Sequence, residues 1–74
     1  MRKKSFSENK ARTAIRSVLS KRKVKNRTEI SYDIADTVVN TAGETRDIVA
    51  KGLVSHGVRN AIILGRIISK ELSK

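Results

Sequence analysis

The sequence predicts an all-α protein, a small bundle of three to four short helices with a basic N-terminal segment, which assembles as a dimer. Apolar residues recur at helical spacing in successive stretches of the chain. The last stretch is apolar around much of its circumference, which indicates a buried or paired helix. At 74 residues, a chain buries only roughly 60% of the surface that it exposes when unfolded, so we expect a second subunit or a bound polyanion to add stability.

The first predicted helix covers about residues 6 to 20. Ser5 and Glu8 have the spacing of a capping box at its start, and we expect the helix to end near Lys21. Residues 1 to 5 are expected to be disordered. Apolar residues repeat along one face of this helix, so it should pack against a core rather than extend as a free basic arm: Ala11, Ala14, Ile15, Val18 and Leu19.

Two further helices follow in the middle of the chain. Residues 28 to 41 form the second, because Ile30, Ile34 and Val38 step by four. Gly43 interrupts the pattern. Residues 45 to 55 form the third helix, whose apolar face includes Leu53.

The last segment, residues 58 to 72, is predicted to be the dimerisation helix. Gly57, Ala61, Gly65 and Ser69 lie at four-residue intervals, which favours close approach of another helix. The alternative is that these glycines are incidental and only weaken the helix. We see no internal repeat. The predicted homodimer interface consists of Ala61, Ile62, Gly65, Ile68 and Leu72.

Charge divides the chain into two regions. Residues 1–27 contain eleven cations and one anion, Glu8, whereas residues 28–74 contain six of each. The net charge of the chain is +10 and its pI is about 10.8. This pattern predicts a basic region at 1–27 that contacts a polyanion, and a neutral region at 28–74 that supplies the core and the dimer interface.

The expected partner is nucleic acid. One Tyr, one Phe and no Trp do not provide a platform for stacking several bases, so we expect contact with the backbone of a duplex. We favour DNA over RNA as that duplex. A basic helix followed by a basic linker is also compatible with RNA binding, as in small helical ribosomal proteins. The predicted contact residues are Lys3, Lys4, Lys10, Arg12, Arg16, Lys21, Arg22, Lys23, Lys25, Arg27 and Arg46.

Two arrangements compete for the DNA contact. In the first, the second and third helices form a helix-turn-helix around residues 41–44, and Arg46 faces the major groove. In the second, VKNRTEISY alternates and DIVAKGL has the form of a following helix, so the segment resembles a ribbon-helix-helix repressor. That resemblance implies that Lys25, Arg27 and Glu29 read bases from a β-ribbon.

The sequence argues against an enzyme. There is no Cys, and the single His56 has neither a nucleophile nor metal-ligand partners at a recognisable spacing, so we expect no cofactor, no metal and no small-molecule substrate. The longest apolar run, AIIL at 61–64, is too short to cross a membrane. The resulting expectation is a cytoplasmic or nucleoid-associated DNA-binding transcriptional regulator or accessory factor. A protein-interaction adaptor is the remaining alternative.

Overall fold

A computed structural model describes residues 7–40 and 45–73, and within these ranges the chain is helical with no strand. The all-α prediction and the small helical bundle are confirmed. The third predicted helix agrees with the observed one at both ends, whereas the fourth begins at residue 61 rather than 58. The helices are α1 (Glu8–Lys21), α2 (Arg27–Asn40), α3 (Thr45–Ser55) and α4 (Ala61–Leu72).

Helix α1 begins two residues later than predicted. Ser7 is its N-cap, and the Ser7 Oγ accepts a hydrogen bond from the backbone N–H of Lys10 at 3.1 Å. Glu8 is therefore the first helical residue and pairs with Arg12 one turn on, at 3.2 Å. The capping box predicted from Ser5 and Glu8 is wrong, because Glu8 does not stand three residues after the cap; Ser5 itself lies outside the described residues.

The four helices form a ring of two hairpins. The first hairpin consists of α1, the turn at 22–26 and α2, and the second consists of α3, the turn at 56–60 and α4. Helix α2 packs on α3 and α1 packs on α4, whereas the diagonal pairs α1–α3 and α2–α4 have no Cα atoms within 8 Å of each other among the described residues. Residues of both turns line one cleft, so the two turns lie side by side at one end of the bundle.

One core runs through both hairpins. Helix α1 contributes four side chains to it, as its apolar spacing predicts, so the basic region shares its core with the rest of the chain. Burial of each large side chain of this kind is worth about 1.5–3 kcal/mol. The core residues are Ala11, Ile15, Val18, Leu19, Ile30, Ile34, Ala35, Val38, Val49, Leu53, Ala61, Leu64, Ile68 and Leu72.

The second hairpin repeats the first at an offset of 34 residues, which the sequence analysis missed. Val24 corresponds to Val58 and Asn26 to Asn60, with matching core positions at Leu19 and Leu53, and at Ile34 and Ile68. The identities are few and scattered, because most exposed positions differ between the two hairpins. The repeat becomes evident when the hydrogen bonds of the two turns are compared.

Both turns use the same hydrogen-bonded cap at the end of the preceding helix. The N–H of Val24 donates to the carbonyl of Leu19 at 3.0 Å, and the N–H of Val58 donates to the carbonyl of Leu53 at 2.9 Å. Such a cap places the residue before the valine in the left-handed region. Lys23 holds this position in the first turn, with φ +56°, and Gly57 in the second, with φ +69°.

Candidate nucleic-acid interface

The two turns enclose a cleft of about 790 Å³ at one end of the bundle. Ile30, Ile63 and Leu64 form part of its wall, together with the single His56. None of the described residues that line it is a carboxylate. Because cations and no carboxylate line it, the cleft favours a negatively charged ligand. The cations that line it are Arg22, Lys23, Lys25 and Arg59.

Lys23 has an unfavourable backbone conformation at this cleft. A side chain with a Cβ at φ +56° costs on the order of 1 kcal/mol relative to glycine. The second hairpin avoids that cost by placing Gly57 at the equivalent position. Lys23 therefore occupies a backbone conformation that glycine adopts more easily. Such a conflict between residue type and backbone conformation often marks a functional position.

A second basic groove, of about 530 Å³, follows the outer face of α1 and α2. Arg12 and Arg16 line it, together with Arg27 at the first turn of α2. The guanidinium of Arg12 lies 4.0 Å from the centroid of the Tyr32 ring, a cation–π contact. The Arg12 Nε is buried without a hydrogen-bond partner among the described residues. Arg12 is thus held in place by Tyr32 and Glu8, whereas Arg16 has no ion pair within the described ranges.

Most of the predicted contact residues lie on the first hairpin. Arg46 is the exception among the described residues, because it lies on the second hairpin, in the first turn of α3. Arg46 and Lys10, which lies in the first turn of α1, are both at the opposite end of the bundle from the cleft. Arg46 is also next to a carboxylate, with its Nε 3.9 Å from Asp47 Oδ1. Lys3 and Lys4 lie outside the described residues. Arg12, Arg16 and Arg27 line the groove on α1 and α2, and Arg22, Lys23 and Lys25 line the cleft, whereas Lys21, the last residue of α1, lines neither.

The β-ribbon implied by the ribbon-helix-helix resemblance is wrong. Lys25 lies in the turn between two helices, and Arg27 and Glu29 lie in the first turn of α2. Alternating polarity in this short segment reflects a turn followed by a helix, not a strand. The helix-turn-helix arrangement stays a prediction: α2 and α3 pack on each other, but its turn at 41–44 lies outside the described residues.

Four of the five predicted dimer-interface residues are buried inside the chain's own core. Ala61, Ile68 and Leu72 are at most 6% exposed, and Gly65 is also buried. The prediction that a second subunit covers these four residues is therefore wrong, because the chain buries them itself. Ile62 differs, since it is 64% exposed.

The sequence reasoning did not select Arg59 or Asn60 as site residues. A usable signal was present, because Val24-Lys25-Asn26 and Val58-Arg59-Asn60 repeat the order Val, cation, Asn at the 34-residue offset. Asn26 and Asn60 both have φ +56°, a conformation that Asn tolerates better than most residues.

His56 connects the two hairpins. It follows Ser55, the last residue of α3, as predicted from the sequence. Its Nε2 lies 3.0 Å from Asp33 Oδ2 on α2. The residues that the structure describes contain no group of three or more His, Asp or Glu side chains that could hold a metal ion. None of the described helices combines the length and apolarity needed to cross a membrane.

Comparison with known proteins gives no relative. No protein-family model matches the sequence, and neither a curated protein nor a solved structure is significantly similar to the chain.

Proposed function

We propose that this chain binds nucleic acid, with duplex DNA as its preferred partner, through a basic surface on the first hairpin. We define the basic hairpin surface as Arg12, Arg16, Lys21, Arg22, Lys23, Lys25 and Arg27. The observation that carries the proposal is the cleft between the two turns. Its described lining contains Arg22, Lys23 and Lys25 of this surface, Arg59 of the second turn and no carboxylate, and Lys23 has φ +56°. Phosphates are the anions that such an open, multiply cationic surface suits.

The surroundings of Tyr32 support duplex binding over single-strand binding. Tyr32 is 48% exposed, but the guanidinium of Arg12 covers one face of its ring at 4.0 Å. A single partly covered ring does not provide the successive stacking sites that single-strand binders use. Contact with the phosphates of a duplex needs only cations in an open groove, which this surface supplies.

In a cell, such a protein would act as a transcriptional regulator or an accessory DNA-binding factor in the cytoplasm, associated with the nucleoid. The same cations suit duplex RNA, so RNA is the competing ligand in the experiment below. No residue on the basic hairpin surface requires a cofactor or a metal for this role.

We also propose that the protein is a homodimer, with the interface on the outer face of the second hairpin. Val54 and Ile62 are 61% and 64% exposed, whereas their equivalents in the first hairpin are Ser20 and Thr28. The fold therefore accepts polar residues at these positions. Val54 lies one turn after Ala50, which packs against Gly65 of α4. Ile62 lies three residues before Gly65, so both residues are on the side of this α3–α4 contact that is nearer the turn at 56–60.

The proposed DNA binding is tested with two double variants of equal charge. Lys23→Gln with Lys25→Gln removes two cations from the cleft, and Lys51→Gln with Lys70→Gln removes two exposed cations from α3 and α4. Fluorescence anisotropy with a labelled DNA duplex should show a large loss of affinity for the first variant and little change for the second. Equal losses in both variants would mean that only net charge matters and would contradict the proposed site.

A further inference from the structure

We propose that the second turn is the other half of the DNA site, so that Arg59 contacts one strand of a duplex while Lys25 contacts the opposite strand. This inference rests on the proposed function and assigns to Arg59 a role equal to that of Lys25. Both residues line the turn cleft, and Arg59 is exposed and has no ion pair among the described residues.

The two turns present Lys25 and Arg59 in the same local geometry. Each cation stands between a valine whose N–H closes the helix cap and an asparagine with φ +56°. The carbonyls of Asn26 and Asn60 then accept the first hydrogen bonds of α2 and α4, from Ile30 at 3.0 Å and Leu64 at 2.9 Å.

The packing of the helices relates the turns by an approximate two-fold axis. Helix α1 packs on α4 as α3 packs on α2, and each hairpin is internally paired in the same way. In a ring of four alternating helices, the operation that exchanges the hairpins is a half-turn about the long axis of the bundle. That axis leaves the protein between the two turns, through the cleft that both turns line.

A DNA duplex has matching symmetry. Its two backbones run antiparallel, so the phosphates of the two strands are related by local two-fold axes perpendicular to the duplex, and proteins with two-fold symmetry use this relationship. A duplex placed across the end of the bundle offers equivalent phosphates to Lys25 and Arg59. A single strand has no such symmetry. The repeat therefore favours a double-stranded ligand, independently of the charge argument.

The first test compares three single variants that each remove one positive charge. Lys25→Gln and Arg59→Gln change the two turns, and Arg66→Gln is the control, since Arg66 is exposed on α4 but does not line the cleft. With a DNA duplex at 0.1 M salt, loss of one phosphate contact lowers the affinity by about eightfold and the salt slope by about 0.9. We expect these changes for both turn variants and no change for the control.

The outcomes separate this inference from the proposed function. If Lys25→Gln weakens binding but Arg59→Gln behaves like Arg66→Gln, the two-strand inference is wrong and the proposed function survives. If none of the three variants weakens binding, both fail. If duplex RNA shows the two losses and duplex DNA does not, the assignment to DNA is overturned.

The second test detects the two strands directly. The chain has no cysteine, so Lys25→Cys with Arg59→Cys gives two unique sites for a photo-crosslinker. Irradiation on a duplex, at low salt and at a protein concentration that saturates the weakened variant, should yield a species with both strands attached to one protein under denaturing conditions. The matched control is Lys25→Cys with Arg66→Cys, which should attach one strand only. Attachment of one strand only by the first variant would overturn the inference.

Discussion

Gly65 on α4 lies against Ala50 on α3 so closely that a Cβ added at Gly65 would be 3.0 Å from the Ala50 Cβ and 3.1 Å from its Cα and N. The close helix approach expected from the small residues of the last segment therefore exists, but it joins two helices of the same chain. Gly57, which begins that four-residue series, lies in the turn and not in α4.

Replacing Gly65 by Leu should lower the free energy of unfolding by about 1–3 kcal/mol, because the new side chain meets backbone atoms of Ala50 that do not move independently of α3. Thermal unfolding followed by circular dichroism measures the change. Arg66→Leu is the control, since Arg66 is the next residue and is exposed. Equal effects of the two substitutions would contradict the packing described for Gly65.

Exchange of the equivalent turn residues should separate stability from binding. Lys23→Gly removes the strain at φ +56° and should raise the free energy of unfolding by about 0.5–1 kcal/mol, while duplex affinity falls because the cleft loses a cation. Gly57→Lys should have the opposite effects, with lower stability and tighter binding. Chemical denaturation and anisotropy measure the two quantities. Loss of both stability and binding in Lys23→Gly would mean that Lys23 has a structural role.

Replacing Arg46 by Gln should leave duplex affinity almost unchanged. Arg46 lies at the opposite end of the bundle from the cleft, and its Nε is already 3.9 Å from Asp47 Oδ1. The helix-turn-helix arrangement predicts a different result, a loss of sequence preference confined to one position of the binding site. Binding selection from a random duplex pool, with wild type and variant in parallel, distinguishes the two.

The proposed dimer should depend on Val54 and Ile62. Their replacement by the residues of the first hairpin, Val54→Ser with Ile62→Thr, should give a monomer that keeps its helicity, because both positions are exposed. Sedimentation at micromolar concentration compares it with wild type and with Val39→Thr, a control at an exposed valine of α2. A monomeric wild type, with a thermal midpoint independent of concentration, would contradict the dimer.

Helical periodicity was enough to predict a small bundle of helices. Ile30, Ile34 and Val38 step by four and are buried on α2, and the face of α1 that includes Ile15 enters the core. The periodicity of a single helix does not reveal which element covers it. Ile68 and Leu72 were therefore attributed to a second subunit, whereas α1 and α3, both packed on α4, help to cover them within the chain.

Only part of the candidate site could be predicted from the sequence. Charge counting located the cations of the first hairpin. Lys and Arg side chains are almost always at the protein surface, so their exposure can be predicted without knowing how the helices pack. It did not select Arg59, which lies in the neutral region of the sequence and joins the cleft only because the second turn lies beside the first. Composition averages over a segment, whereas a binding site is formed by residues that the fold brings together.

The most direct test of the proposed binding of duplex DNA is its dependence on salt. Fluorescence anisotropy measures the affinity for a DNA duplex of about 20 base pairs from about 50 to 300 mM salt, with duplex RNA and single-stranded DNA in parallel. Each phosphate contact contributes about −0.9 to the log–log slope. The account predicts tightest binding to duplex DNA and a steep slope that becomes shallower when Lys23 and Lys25 are replaced by Gln. Affinity for duplex DNA that does not change with salt would contradict it.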